Sequence, residues 1–332
     1  MKKWWRGGGV VLIIVGSWLM LRGGGTGELR NPMGENQVQE KSYDKYSFSR
    51  LVEREDIASQ IEIEGETFSY MTEGKKVTGA ITLPTGPGPE GGWPVVVMLR
   101  GYADKEIYYT GYGTKNGAKY FSEQGYVTLA PDFLGYGGSD PSDEDTLGAR
   151  VRKPATVLDL LASLSSLEYV DTEQVYLWGH SNGGQIALSV AEILGRRGEL
   201  SLRGPSSQVK GVTLWAPVTK PFPYSILYYT YDWDDRGREL RRVISEWEKD
   251  YVAEDYSIER YWDWLEIPLQ IHQGTADEAV PYEWSDEVVK VWEELELDVN
   301  YYRYSGTNHN MQPSWNTVIG RDVGWFAKLS RE

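Results

Sequence analysis

The sequence predicts an α/β fold: a mostly parallel central sheet with helices on both faces, antiparallel strands ahead of it and a helical cap inserted late. Three patterns carry this. From Trp93 onward, short continuous apolar runs alternate with helical segments, as strands buried on both faces require. Before Trp93, "SQIEIEG", "ETFSYM" and "KKVTGAITLP" alternate apolar with polar residues at period two, the mark of antiparallel strands exposed on one face. Between the apolar strands "KGVTLWAP" and "IPLQIHQ" the alternation stops for about fifty residues, 217–266, crowded with tyrosine and tryptophan.

Taken in order, Lys2, Lys3 and Arg6 precede the apolar run "GGGVVLIIVGSWLML", Gly7 to Leu21. Charge followed by apolar residues is the order of an export signal. As a helix those residues reach roughly 22 Å, short of the roughly 30 Å hydrocarbon core. The run ends at Arg22 without an Ala-x-Ala cleavage site, and Trp4 and Trp5 suit a membrane interface. Residues 1–22 are therefore expected to be a signal or anchor segment, more an uncleaved anchor than a cleaved leader. The expected location is extracytoplasmic, held at the membrane or, after cleavage, secreted. Residues 23–45 are glycine-rich and polar and read as a flexible linker.

Residues 46–332 then form one catalytic domain, with no internal repeat or second core. Strand "PVVVML" leads to a helix around "KNGAKYFSEQG", strand "YVTLA" and a long helix between Thr146 and Leu167. Strand "VYLW" leads to a helix from about Asn182 to Leu194. After the cap come a helix near Tyr282 to Leu295, strand "VNYYRY" and a final helix. Within the cap, Tyr224, Tyr228, Tyr229, Tyr231 and Trp233 either wall an acyl pocket or pack the cap onto the body.

Composition excludes several classes. Acidic residues outnumber basic ones 49 to 34, a formal charge of −15, which removes the basic footprint of a nucleic-acid partner. There is no cysteine, so disulfides, thiolate metal sites and a cysteine nucleophile are excluded.

Gly179-His180-Ser181-Asn182-Gly183 carries the chemistry. In a chain with 37 glycines the bare Gly-x-Ser-x-Gly pattern arises by chance roughly 0.3 times, so context has to decide. Here it directly follows a strand and directly precedes a helix, the setting of a nucleophile elbow. Glycines are needed because a Cβ would collide with neighbouring backbone at so sharp a reversal. The helix N-terminus then favours an anionic intermediate beside Ser181.

Serine needs a base, and the chain offers three histidines. His180 is expected to point away from the hydroxyl and to be structural. His272 ends a strand. His309, in the polar loop "YSGTNHNM" after the last strand, can reach back over the sheet edge and is the candidate base. Asp277, after a strand and a Gly-Thr turn in "IHQGTADEAVP", is the candidate orienting acid, with Glu278 or a cap-only role as alternatives. The candidate oxyanion donors are the N–H of Asn182 and, in the turn "RGYAD", those of Gly101 and Tyr102; the bland alternative is an ordinary strand-end turn.

The segments "VVVMLRGYAD", "LAPDFLGYGGSD", "WGHSNGG", "GTADEAVP" and "GTNHNM", in that order, resemble the α/β-hydrolase superfamily. More narrowly, they resemble the catalytic domain of prolyl oligopeptidase-like serine peptidases and their esterase relatives. The resemblance spans about residues 93 to 332 and implies the α/β-hydrolase fold, with Ser181, Asp277 and His309 as a triad. In such peptidases a tyrosine after the first core strand gives its phenol to the oxyanion, and Tyr102 stands at the matching place. The roughly fifty residues ahead of the first core strand are too few for the β-propeller of those peptidases. "RGY" replaces the His-Gly-Gly of lipases. The expected activity is hydrolysis of a small-molecule ester or a short peptide through an acyl-enzyme, with no metal or organic cofactor. The alternative is a non-catalytic cell-surface module that keeps the fold.

Overall fold

A computed structural model describes residues 42–142, 145–199 and 209–331. The expected anchor at 1–22 and nearly all of the expected linker lie outside the described residues. Lys41–Glu332 is one compact unit. Among the described residues no helix is long and apolar enough to cross a membrane.

The described residues open with a 3-10 turn (Asp44–Tyr46), α1 (Phe48–Glu53) and three strands, β1 (Glu62–Glu64), β2 (Thr67–Thr72) and β3 (Lys75–Thr82). The alternating core follows: β4 (Trp93–Leu99), α2 (Lys115–Glu123), β5 (Val127–Pro131), α3 (Thr146–Val151), α4 (Lys153–Ser163), β6 (Val170–His180) and α5 (Asn182–Glu199). After β7 (Val209–Trp215) the cap holds α6 (Tyr224–Leu227), α7 (Arg238–Trp247) and 3-10 turns; β8 (Leu269–Gly274), α8 (Tyr282–Glu294), β9 (Val299–Tyr304) and α9 (Trp315–Leu329) complete the chain.

The strands form one nine-stranded sheet in the order β1-β2-β3-β5-β4-β6-β7-β8-β9. From β1 to β5 the pairings are antiparallel, and from β5 through β9 they are parallel. The continuous apolar strands are buried on both faces, and alternate residues serve different layers. Val95, Val97 and Leu99 join one apolar cluster with α1, α4, α5 and α8, while Val96 and Met98 join another with α2 and α9. The chain leaves β4 toward β5 on one side and returns to β6 on the other, so the carboxyl ends of β4 and β6 flank a topological switch point.

Two boundaries differ from the sequence expectation. The long helix between Thr146 and Leu167 is broken at Arg152 into α3 and α4, with Pro154 in the first turn of α4, where a residue without an N–H is tolerated. Asp145 caps α3 by accepting from the N–H groups of Leu147 and Gly148 at 3.0 and 2.8 Å. Helix α5 runs past Leu194 to Glu199 because tertiary contacts hold its last turn. The buried Arg197 guanidinium pairs with Asp56 at 2.6 Å and donates to the Leu51 carbonyl at 2.6 Å.

One buried group on α5 has no partner. Glu192 is fully buried, and neither carboxyl oxygen finds a hydrogen bond. Burial, then the charge of Asp263, push its pKa well above the usual carboxylate range. The folded value lies above the unfolded one, about 4.3, so the contribution of this one group to stability is fully present below that pH and is lost as pH rises toward the folded value. Glu192→Gln is expected to raise the Tm more at pH 8 than at pH 4; thermal denaturation at the two pH values checks this, and an equal shift at both contradicts it.

Candidate active site

Strand register assembles the site. Leu99 of β4 lies beside Gly179 of β6, and His180 beside Trp215 of β7. Two residues beyond the first pair, Gly101 and Ser181 therefore meet above the sheet. A Cβ built on Gly101 falls 3.1 Å from Ser181 Cβ and 3.6 Å from Ser181 Oγ. Ser181 has φ +55°, a left-handed conformation that costs a non-glycine residue about 1–3 kcal/mol. Three backbone bonds hold it there: its N–H donates to the Trp215 carbonyl at 2.9 Å, and its carbonyl accepts from Gly184 at 3.0 Å and Val218 at 3.1 Å. A Cβ on Gly183 would run into the Leu99 carbonyl, and one on Gly179 would lie 2.7 Å from the Gly183 carbonyl.

The next pair along the sheet brings the acid to the histidine. Gly274 of β8 lies beside Tyr304 of β9, and the two following loops are laced together by Thr275 N–H to Tyr304 at 2.9 Å and Ala276 N–H to Thr307 at 3.0 Å. Asp277, its side chain fully buried, accepts from His309 Nδ1 at 3.0 Å and from Gln273 Nε2 at 3.0 Å through Oδ2. Its Oδ1 accepts the N–H groups of Ala279 and Val280 at 2.9 and 2.8 Å. Burial works to raise the Asp277 pKa, but the His309 hydrogen bond and charge, together with those two N–H groups, hold it below its ordinary value. Glu278 meets only the backbone: its Oε2 accepts the His309 N–H at 3.3 Å. Geometry thus puts Asp277, not Glu278, on the imidazole.

The His180 and His309 rings lie against each other, tilted by 39° with centroids 4.6 Å apart, and His180 Nε2 donates to the His309 carbonyl at 3.0 Å. That bond pins the His309 loop to the elbow. Burial, reinforced by His309, pushes the His180 pKa down to about 4, so it stays neutral at neutral pH. Among the described residues no hydrogen bond joins Ser181 Oγ to His309, a separation usual before substrate binds. His272 takes no part. It is fully buried, donates to Asp322 at 2.9 Å and meets the Tyr304 hydroxyl at 2.7 Å.

On the other side of Ser181, Arg100 shapes the "RGY" turn. Its guanidinium sits 4.3 Å from the ring centres of both Tyr108 and Tyr136 and donates to the carbonyls of Gly101 at 2.9 Å and Asp132 at 3.2 Å. The N–H groups of Gly101, Tyr102 and Asn182 find no acceptor among the described residues and are free to serve an oxyanion. The Tyr102 side chain is 76% exposed, and its hydroxyl donates to Asp104 at 2.8 Å.

Two contributors were not legible in the sequence. Arg100 reads as a strand-end charge until the fold brings Tyr108 and Tyr136 around it. Tyr229 of the cap was one aromatic among many. Burial first, then the charge of Asp277, raise the pKa of its hydroxyl, which sets it apart from the other cap aromatics.

A strand-to-helix elbow, a carboxylate–imidazole pair and free N–H groups at one sheet edge define a hydrolase-type centre on an α/β scaffold. The sequence pattern of the alpha/beta hydrolase family matches residues 96–322, and the chain belongs to that family. Comparison with curated protein sequences returns no match. Among solved structures, a thermophilic esterase from Thermogutta terrifontis with butyrate bound is 15% identical, with a TM-score of 0.56 over 82% of this chain and 94% of that one. Est1E from Butyrivibrio proteoclasticus with ferulic acid bound is 19% identical, with a TM-score of 0.53 over 80% and 99%. Porphyromonas gingivalis dipeptidyl peptidase 4 is 17% identical, with a TM-score of 0.57 over 82% of this chain but 36% of the peptidase. At these identities the likeness is one of fold.

Gly183→Ala tests the elbow. With Leu99 and Arg100 backbone in the way, the methyl is expected to cost at least about 1–3 kcal/mol, read as a lower urea midpoint. A midpoint unchanged from wild type would contradict the close approach of α5 to β4.

Proposed function

We propose that the protein is a serine hydrolase that cleaves ester or amide bonds through an acyl-enzyme. The observation that carries the reading is the 3.0 Å bond from His309 Nδ1 to the buried Asp277, in a loop pinned to the Ser181 elbow. Ser181 Oγ attacks the substrate carbonyl and passes its proton to His309 Nε2. Asp277 holds the imidazole in the tautomer with Nε2 open and stabilises the imidazolium. The N–H groups of Asn182 and of Gly101 or Tyr102 receive the oxyanion, aided by the N-terminus of α5. His309 then protonates the leaving group, and water repeats the sequence to release the acid. No step calls for a metal or an organic cofactor.

Small-molecule esters and short peptides are the substrate classes that fit. Both bond types share this mechanism, and the similar structures include an esterase with butyrate bound, Est1E with ferulic acid bound and one peptidase. We place the enzyme outside the cytoplasm, anchored by residues 1–22, on the strength of their charge and apolar pattern.

A fluorophosphonate probe is expected to label the wild type and not Ser181→Ala; an unlabelled wild type overturns the reading in favour of a non-catalytic module. Asp277→Asn is expected to lower kcat by about three to four orders of magnitude, with folding unchanged by circular dichroism. Short acyl nitrophenyl esters assayed against aminoacyl and peptidyl nitroanilides separate the two substrate classes, and turnover confined to the esters removes the peptidase option.

A further inference from the structure

Beside the elbow lies a cavity of about 40 Å³, lined by Asn182 and Gln185 of α5, Arg150 of α3 and Lys153 of α4, and roofed by Phe222 and Tyr256 of the cap. No aspartate or glutamate is among its lining residues. That is unexpected in a chain of formal charge −15, and more so because neighbouring cations on the same layer are neutralised. Arg152, between the two, pairs with Glu73 at 3.1 Å, and Arg197 pairs with Asp56.

Arg150 and Lys153 have no such partner among the described residues. Arg150 donates to the Gln185 side-chain oxygen at 3.1 Å, and Gln185 is itself fixed by donating to the Lys220 carbonyl at 3.0 Å. Lys153 Nζ lies 5.5 Å from the centre of the Phe133 ring. Burial, then the like charges of Arg150 and Arg100, push the Lys153 pKa down to about 7, and burial pushes that of Arg150 down to about 10. Arg150 and Lys153 are half-buried and line one cavity with no carboxylate among its walls, an arrangement that an anion would complete.

We propose that this cavity binds a small anionic group of the substrate, a carboxylate, so that the enzyme acts on esters or amides bearing a free carboxylate close to the scissile bond. The proposal rests on the serine-hydrolase reading and adds a substrate class to it. Asn182 lines the cavity and directly follows Ser181 in the chain, which puts the cavity next to the elbow. A single water needs roughly 10–15 Å³ by the same measure, so the space admits a carboxylate head and not a long acyl chain. Arg150 is already oriented by Gln185, as a preorganised anion site requires.

The test is the ratio of kcat/KM for anionic over neutral substrates, in two arms. One places the carboxylate on the acyl part, 4-nitrophenyl hemiglutarate against 4-nitrophenyl 5-methylhexanoate. The other places it on the leaving group, 4-(butanoyloxy)benzoate against its methyl ester. A ratio of about tenfold or more is expected in one arm, and that arm identifies which side of the substrate enters the cavity. Arg150→Gln and Lys153→Gln are expected to lower that ratio about tenfold, and Lys153→Arg to preserve it. Fluorophosphonate labelling of each variant reports an intact site. Ratios near one in both arms, or ratios untouched by both Gln variants, with Ser181 still labelled, overturn this inference and leave the hydrolase reading standing. Absence of labelling and of all turnover in the wild type removes both.

Discussion

The contact on which the rest of the structure depends is the close approach of α5 to the backbone at the end of β4. It is possible only because residues 179, 183 and 184 lack side chains, so that the chain reverses between β6 and α5 without striking Leu99, Arg100 or Pro217. Three backbone hydrogen bonds then fix Ser181 in a left-handed conformation it would not choose alone. The strain is local, and the sheet supports it on both sides.

Once that corner is set, the parallel register distributes the remaining parts. Each strand from β4 to β9 ends at the same edge, so the loops after β4, β6, β8 and β9 come together although they are far apart in sequence. The loops after β8 and β9 are tied to each other before they reach the elbow, which makes the Asp277–His309 pair a rigid unit. His180 joins that unit to β6, and burial keeps its own imidazole neutral at neutral pH. The turn after β4 is built separately, with Arg100 clamped between two tyrosines and donating to the Gly101 carbonyl.

The cap and α3 close the site from above, and there the electrostatics change character. The protein as a whole is acidic, but the cavity beside the elbow is lined by Arg150 and Lys153 and by no aspartate or glutamate. A fold that neutralises Arg54 with Asp159 at 2.7 Å and Arg197 with Asp56 has ample carboxylates to place near those cations. Their absence there matches a pocket that receives charge from its ligand.

The sequence by itself determined the fold class, the order of the elements and the elbow. Those follow from short-range facts: apolar runs of strand length, period-two alternation in β1 to β3, and glycines where a Cβ has no room. It also put Ser181, Asp277 and His309 on loops at the carboxyl edge, since loop position depends only on which segments are strands. Only the tertiary structure decided between Asp277 and Glu278, turned the Tyr102 hydroxyl to Asp104 and broke the long helix at Arg152. It alone gathered Tyr108 and Tyr136 around Arg100 and brought Arg150 and Lys153 to one cavity beside the elbow. Each of these turns on the direction of a side chain, or on a neighbour brought close by folding from elsewhere in the chain, and no local pattern encodes that.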